Sequence, residues 1–195
     1  GLIMDKNIES YVKVYDNWLD AEICKKTIIE LETPVMANTF NQHTFYQSTT
    51  GTYGTQSGDR ELDVSYAKVT PRDYLMQRVW DGFARYLTEL NFPWYSTWAG
   101  YSGIRFNKYS EDRLMAEHCD HIHSMFDGTT KGIPIMSFVG VLNDDYEGGE
   151  FVMWKDKVIE LKAGSVMIFP SIFLYPHRVE PVKKGTRHSF VSWAY

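Results

Sequence analysis

Residues 133–195 read IPIMSFVGVLNDDYEGGEFVMWKDKVIELKAGSVMIFPSIFLYPHRVEPVKKGTRHSFVSWAY, and this stretch decides the fold. Short apolar runs alternate with turn signals at Asn143-Asp144-Asp145, Gly148-Gly149 and Ala163-Gly164. Such punctuation marks strands too short to be helices. The runs place strands near 133–142, 149–154, 157–161, 165–169, 176–181 and 186–194. Two more, near 103–109 and 115–120, precede them. About eight short strands in succession predict two sheets packed as a jelly roll.

Upstream the texture is different. Ser10 to Asp16 alternates and predicts an opening strand. Asp20 is a good N-cap for a helix with Cys24, Ile28 and Leu31 on one face, stopped by Pro34. Gln47 to Gly58 is small and polar around Tyr53, which predicts a surface loop, or a lid if residues 42–60 close over a ligand. Pro71 to Leu90 predicts a long helix, with Thr70 as cap and Pro71 at the first helical position. Its stripe of Leu75, Val79, Phe83, Leu87 and Leu90 must lie on something apolar, most simply a sheet. The expectation is therefore a mostly β chain with flanking α. It is a double-stranded β-helix (jelly roll, cupin-like) buttressed by N-terminal helices. Residues 1–195 are expected to form a single domain, with 1–100 as helical support and lid-like loop and 101–195 as the core jelly roll.

The chain has 195 residues, with 20 Lys plus Arg against 25 Asp plus Glu, a formal charge of −5. That balance argues against general attraction to nucleic acid or anionic membrane. Cys24 and Cys119 are too few for a disulfide framework and fit a reducing compartment. No apolar run approaches the length of a membrane span, and no basic-flanked leader opens the chain. A cytoplasmic protein is expected.

The histidines carry the chemistry. Alternation on a strand puts His118 and Asp120 on one face, with Cys119 opposite as a packed thiol. His177 follows the strand ending at Pro170, and Arg187 stands ten residues beyond it. Two imidazoles and a carboxylate on one side of a metal leave the opposite positions open, which is the facial arrangement of oxygen-activating non-haem Fe(II) sites. Arg187 and Ser189 share a strand face with Val191 and Trp193. Arg105 and Asn107 share parity with Tyr109. A guanidinium fork beside a buried Tyr hydroxyl suits a carboxylate. His121 and His123 also have metal-ligand spacing, but a loop-like context puts them at a rim. Arg105 is left between substrate contact and an internal ion pair.

In this order and spacing, Tyr109, His118-Cys119-Asp120, Leu142 to Asp145, Gly148 to Phe151, Ala163 to Phe169, His177 and Arg187 are similar to one family. From about Gly103 the sequence resembles the Fe(II)/2-oxoglutarate-dependent dioxygenases, particularly the prolyl 4-hydroxylase-like branch. The resemblance implies that His118, Asp120 and His177 hold iron. It implies that 2-oxoglutarate, the cosubstrate used with O2, meets Arg187, Tyr109 and Ser189 through its far carboxylate. Trp193 matches an aromatic of the substrate groove, with Arg105 and Tyr53 as further substrate candidates. Met115 departs from the family, standing where prolyl hydroxylases commonly carry Tyr. The nucleic-acid-repair branch carries a second Arg where this chain has Trp193. The implied activity is hydroxylation of a peptidyl or protein side chain, proline first. The alternatives are the same chemistry on a free amino acid or small metabolite, and a non-catalytic metal-binding jelly-roll module.

Overall fold

The computed structural model describes residues 4–47, 49–120 and 133–195. His121 and His123 lie outside the described residues. The architecture is two main antiparallel sheets with two small two-stranded ones, the largest sheet covered on its outer side by helices.

The larger sheet has seven strands. Their order is Lys13–Tyr15, Val166–Pro170, Met136–Val141, Arg187–Ala194, Arg105–Tyr109, Asp63–Ser65 and Asn41–Gln42, every neighbouring pair antiparallel. The smaller sheet runs Lys157–Ile159, Phe151–Met153, His177–Val179, Met115–His118, also antiparallel. Every strand expected beyond residue 100 is present, most of them trimmed at their ends and the one expected at 165–169 shifted to Val166–Pro170. The opening strand is shorter than expected, because Ile8–Tyr11 winds into a 3-10 helix capped by the Asn7 side chain.

Helix α1 (Ala21–Leu31) starts where Asp20 accepts hydrogen bonds from the amides of Glu22 and Ile23. Pro34 does not merely end the helical region; it sits at the start of a short helix, α2 (Pro34–Ala37). This agrees with proline's preference for the first turn, where its missing N–H costs nothing. The long helix, α3 (Arg72–Leu90), buries Leu75, Val79, Phe83 and Leu87 as the periodicity demanded. Thr70 does not cap it. Its amide and hydroxyl instead donate to the Glu30 carboxylate, fastening α3 to α1.

The polar stretch 47–58 is not simply a loop. Phe45–Gln47 pairs with Thr52–Gly54 as a hairpin. Its turn-forming composition was visible; its pairing was not, because too few apolar residues alternate there to reveal a strand.

Strand alternation divides the larger sheet into two faces. Phe106, Phe138, Phe190, Val166, Ile168 and Ala194 point toward the helices and join Leu75, Val79 and Phe83 in one core. Tyr109, Val139, Met167, Phe169 and Val191 point the other way and meet Phe151, Met153 and Val179 of the smaller sheet in a second core. The helix-side core depends on close approach. A Cβ on Gly82 of α3 would lie 2.7 Å from the Phe138 ring, and one on Gly140 would collide with the Phe190 ring. Each fully buried aromatic there contributes about 1.5–3 kcal/mol by leaving water. Among the described residues, no helix is long and apolar enough to cross a membrane.

Candidate metal centre

The second core is not filled. Between the sheets lies a cavity of about 370 Å3, its mouth included. Arg105, Asn107 and Tyr109 line it from one strand, and Arg187, Ser189, Val191 and Trp193 from the next. These strands are paired with Arg187 opposite Tyr109, Ser189 opposite Asn107 and Val191 opposite Arg105. The parity expected from sequence therefore builds one wall.

The facing wall carries the triad. His177 lies opposite His118 in the smaller sheet. The register slips between His177 and Val179, which lets Met115 and His118, three residues apart, both face the cavity. The strand stops at His118, so Asp120 reaches the site from the chain beyond it rather than from an extended strand face. Asp120 Oδ1 lies 3.3 Å from His118 Nε2 and 3.3 Å from His177 Nε2. One ligand atom from each of the three falls within 4.8 Å of the others, a group that could hold a metal ion.

Neighbouring groups fix the orientation of all three. His118 Nδ1 is 2.8 Å from the Ala116 carbonyl, and His177 Nδ1 is 3.0 Å from the Tyr175 carbonyl. A carbonyl can only accept, so each Nδ1 carries the proton and each Nε2 presents a lone pair to the centre. Phe151 stacks on the His177 ring at 5.2 Å, and Phe45 packs on His118 at 5.1 Å. Asp120 Oδ2 accepts from Ser137 Oγ at 2.6 Å and from Trp193 Nε1 at 3.1 Å. Ser137 and Trp193 are cross-strand partners, which is how two remote residues meet one oxygen.

Burial alone would raise the Asp120 carboxyl, but the two imidazoles beside it outweigh that and hold it well below the usual range. Burial lowers His118, helped by the charge of His177; for His177 the adjacent Asp120 outweighs burial and raises it.

Arg187 is 2 % exposed. Its Nη1 donates to Ser189 Oγ at 3.1 Å, its guanidinium lies 4.9 Å from the Tyr109 ring centre, and its Nε has no partner. Among the described residues no carboxylate pairs with it. Tyr109 is 1 % exposed; its hydroxyl meets the Met115 sulfur at 3.9 Å and the Asn107 side chain. Burial raises its pKa, so it stays a neutral donor. A buried cation with no carboxylate beside it among the described residues, and a buried phenol held by a weak sulfur acceptor, suit an anion.

Of the expected substrate residues, Arg105 and Trp193 line the cavity. Tyr53 does not; it is 60 % exposed on the hairpin. Sequence reasoning missed Ser137, whose signal was a polar residue interrupting an apolar strand. It also gave Asn107 no role, although this residue is only 3 % exposed.

Residues 104–195 match the 2OG-Fe(II) oxygenase superfamily. A "PKHD-type hydroxylase" of Crocosphaera subtropica is 35 % identical over 97 residues, covering 47 % of this chain and 42 % of that protein. Another, from Gloeothece citriformis, is 50 % identical over 52 residues, covering 25 % and 23 %. The chain thus spans less than half the length of the curated relatives it matches. Among solved structures, a Pseudomonas putida prolyl-4-hydroxylase superposes with TM-score 0.65 at 17 % identity, covering 94 % of this chain and 91 % of that one. A Trichoplax adhaerens prolyl hydroxylase, solved with a peptide fragment of hypoxia inducible factor, gives TM-score 0.69 at 16 % identity, covering 95 % and 83 %. On the fold of the prolyl hydroxylases, then, the stretch 104–195 that supplies both walls of the cavity is similar to the 2OG-Fe(II) oxygenase superfamily.

Proposed function

We propose that this chain is an Fe(II)- and 2-oxoglutarate-dependent dioxygenase that hydroxylates a peptidyl or protein side chain, with proline the leading target. One observation carries the reading: a His-Asp-His triad and a buried arginine without a carboxylate face the same cavity. The donor set fits Fe(II), since two neutral imidazoles and one carboxylate leave coordination positions open. The unpartnered Nε of Arg187 fits the far carboxylate of 2-oxoglutarate. Bound together, iron and 2-oxoglutarate use O2 to couple decarboxylation of the keto acid to succinate with hydroxylation of an unactivated C–H bond.

The protein's own residues do the positioning. His118 and His177 hold their Nε2 lone pairs on target through their carbonyl-bound Nδ1 protons. Asp120 stays ionised and offers Oδ1, because Ser137 and Trp193 occupy Oδ2. Arg187 presents its fork to a carboxylate, with the Tyr109 and Ser189 hydroxyls as second and third donors. Val139, Val179 and Val191 keep the cavity wall apolar, which excludes water and strengthens each charged contact.

The peptide substrate is supported by the relatives' hydroxylase names and by the neighbour solved with a peptide fragment. Met115 lines the cavity where prolyl hydroxylases commonly carry Tyr, which removes a hydroxyl from that wall.

Anaerobic addition of Fe(II) and then 2-oxoglutarate should produce the weak visible charge-transfer band of the chelate. His177→Ala should abolish the band and all succinate formation while the circular dichroism stays native. A wild-type protein with neither band nor succinate overturns the proposal.

A further inference from the structure

We propose that Arg105 reads a carboxylate carried by the substrate close to the carbon being oxidised. This rests on the dioxygenase reading and extends it to the class of substrate. The first observation is charge. Arg60, Arg78, Arg85, Arg113 and Arg178 each sit within ion-pair distance of an Asp or Glu. Arg105 lines the cavity and has no such partner among the described residues. It is partly buried, where an uncompensated cation is costly unless a ligand supplies the anion.

The second observation is that the guanidinium is held in place. Its Nε donates to Asn107 Oδ1 at 3.0 Å, and its Cζ lies 5.2 Å from the Trp193 ring centre. Asn107 is itself buried. One edge of the fork is thus spent on Asn107 and one face on the indole, leaving the terminal nitrogens as donors with fixed aim.

The third observation is position. Arg105 stands opposite Val191 on the ladder where Tyr109 stands opposite Arg187. Four residues of strand separate the two arginine sites, about 13 Å at 3.3 Å per residue. Arg187 therefore serves one end of the cavity and Arg105 the other. The Arg105 end is the metal end, because the indole that Arg105 packs on donates through Nε1 to Asp120. An anion held by Arg105 lies one indole away from the triad.

A carboxylate so placed can come from an acidic residue beside the target in a peptide, or from the free α-carboxylate of an amino acid. The test uses Fe(II)- and 2-oxoglutarate-loaded protein under anaerobic conditions, titrated calorimetrically with matched probes. These are N-acetylprolylglutamate against N-acetylprolylglutamine, and proline against prolinamide. At least one acid should bind ten-fold or more tightly than its amide, and the pair that shows the difference identifies the source. Arg105→Gln should erase the difference while leaving the chelate band and 2-oxoglutarate affinity as in wild type; Arg105→Met is the second variant should Gln disturb folding. The proposal is overturned if wild type shows no preference for either acid, or if the preference survives both substitutions. It is equally overturned if losing Arg105 weakens 2-oxoglutarate ten-fold, which would make it a cosubstrate ligand. A missing chelate band in wild type would instead sink the dioxygenase reading beneath it.

Discussion

The two faces of the strand Arg187–Ala194 are both largely buried and chemically different. Phe190, Ser192 and Ala194 face the helices, where rings and methyl groups meet without space between them. Arg187, Ser189 and Val191 face the cavity and are just as shielded from water. Burial therefore does not separate structural core from functional site in this molecule. What separates them is space and charge: the helix side is closed by packed rings, while the cavity side leaves an opening lined by a guanidinium, a phenol and the triad.

Substitutions can break this contrast or sharpen it. The largest effect belongs to the packed face. Phe138→Ala should cost about 3–5 kcal/mol of stability, since the ring is fully buried against Gly82 and leaves a cavity. Urea denaturation reads it, and the folded fraction should still form the chelate band. A cost on the order of 1 kcal/mol would mean that this core is looser than it looks.

Next comes the cavity face. Arg187→Leu should raise the 2-oxoglutarate concentration for half-saturation about 10- to 150-fold, corresponding to the 1.5–3 kcal/mol of a hydrogen bond to a charged group. Stability should hold or rise, because an unpaired buried cation is removed. Thermal melting without ligands that drops as far as for Phe138→Ala would erase the distinction between the faces.

Trp193→Phe keeps an aromatic ring, smaller than the indole, and deletes the N–H on Asp120. Metal affinity should fall about 10- to 100-fold, as for other groups that orient a ligand. Direct titration with Co(II) reads this without turnover, and an unchanged affinity would leave Ser137 alone as the orienting group.

The smallest effect is on the helix side, where Glu32 accepts from Lys108 and His188. Burial raises its carboxyl, but these hydrogen bonds outweigh burial and lower it from 4.5. A lowered folded value contributes stability that is full above about pH 4.5 and lost as pH falls through the folded value. Glu32→Gln should flatten that acid-side loss by less than about 1 kcal/mol, since the group is largely solvated. A stability curve of the same shape in both proteins would assign the pair no energetic role.

Much of the site was legible before any coordinates. Strand parity alone put Arg187 with Ser189 and Trp193, and Arg105 with Tyr109, because side chains alternate strictly along a strand. The triad was legible as residue types at a familiar spacing. Two things were hidden. The hairpin Phe45–Gln47/Thr52–Gly54 has almost no apolar period, so only its pairing reveals it. The second job of Trp193 was hidden as well: the indole that was expected to line a substrate groove also donates to a metal-ligand candidate contributed from far along the chain.

The amino-acid sequence by itself determined the run of about eight strands beyond residue 100, the alternation of faces along them, and which residue types would share a wall. Those properties follow from local periodicity and turn chemistry, which act over a few residues. Only the tertiary structure decided that Ser137 and Trp193 meet on one oxygen of Asp120, and that Arg105 and Arg187 line one cavity without acid partners among the described residues. Such facts depend on sheet register and on a bulge between remote strands, and nothing local to either residue encodes them.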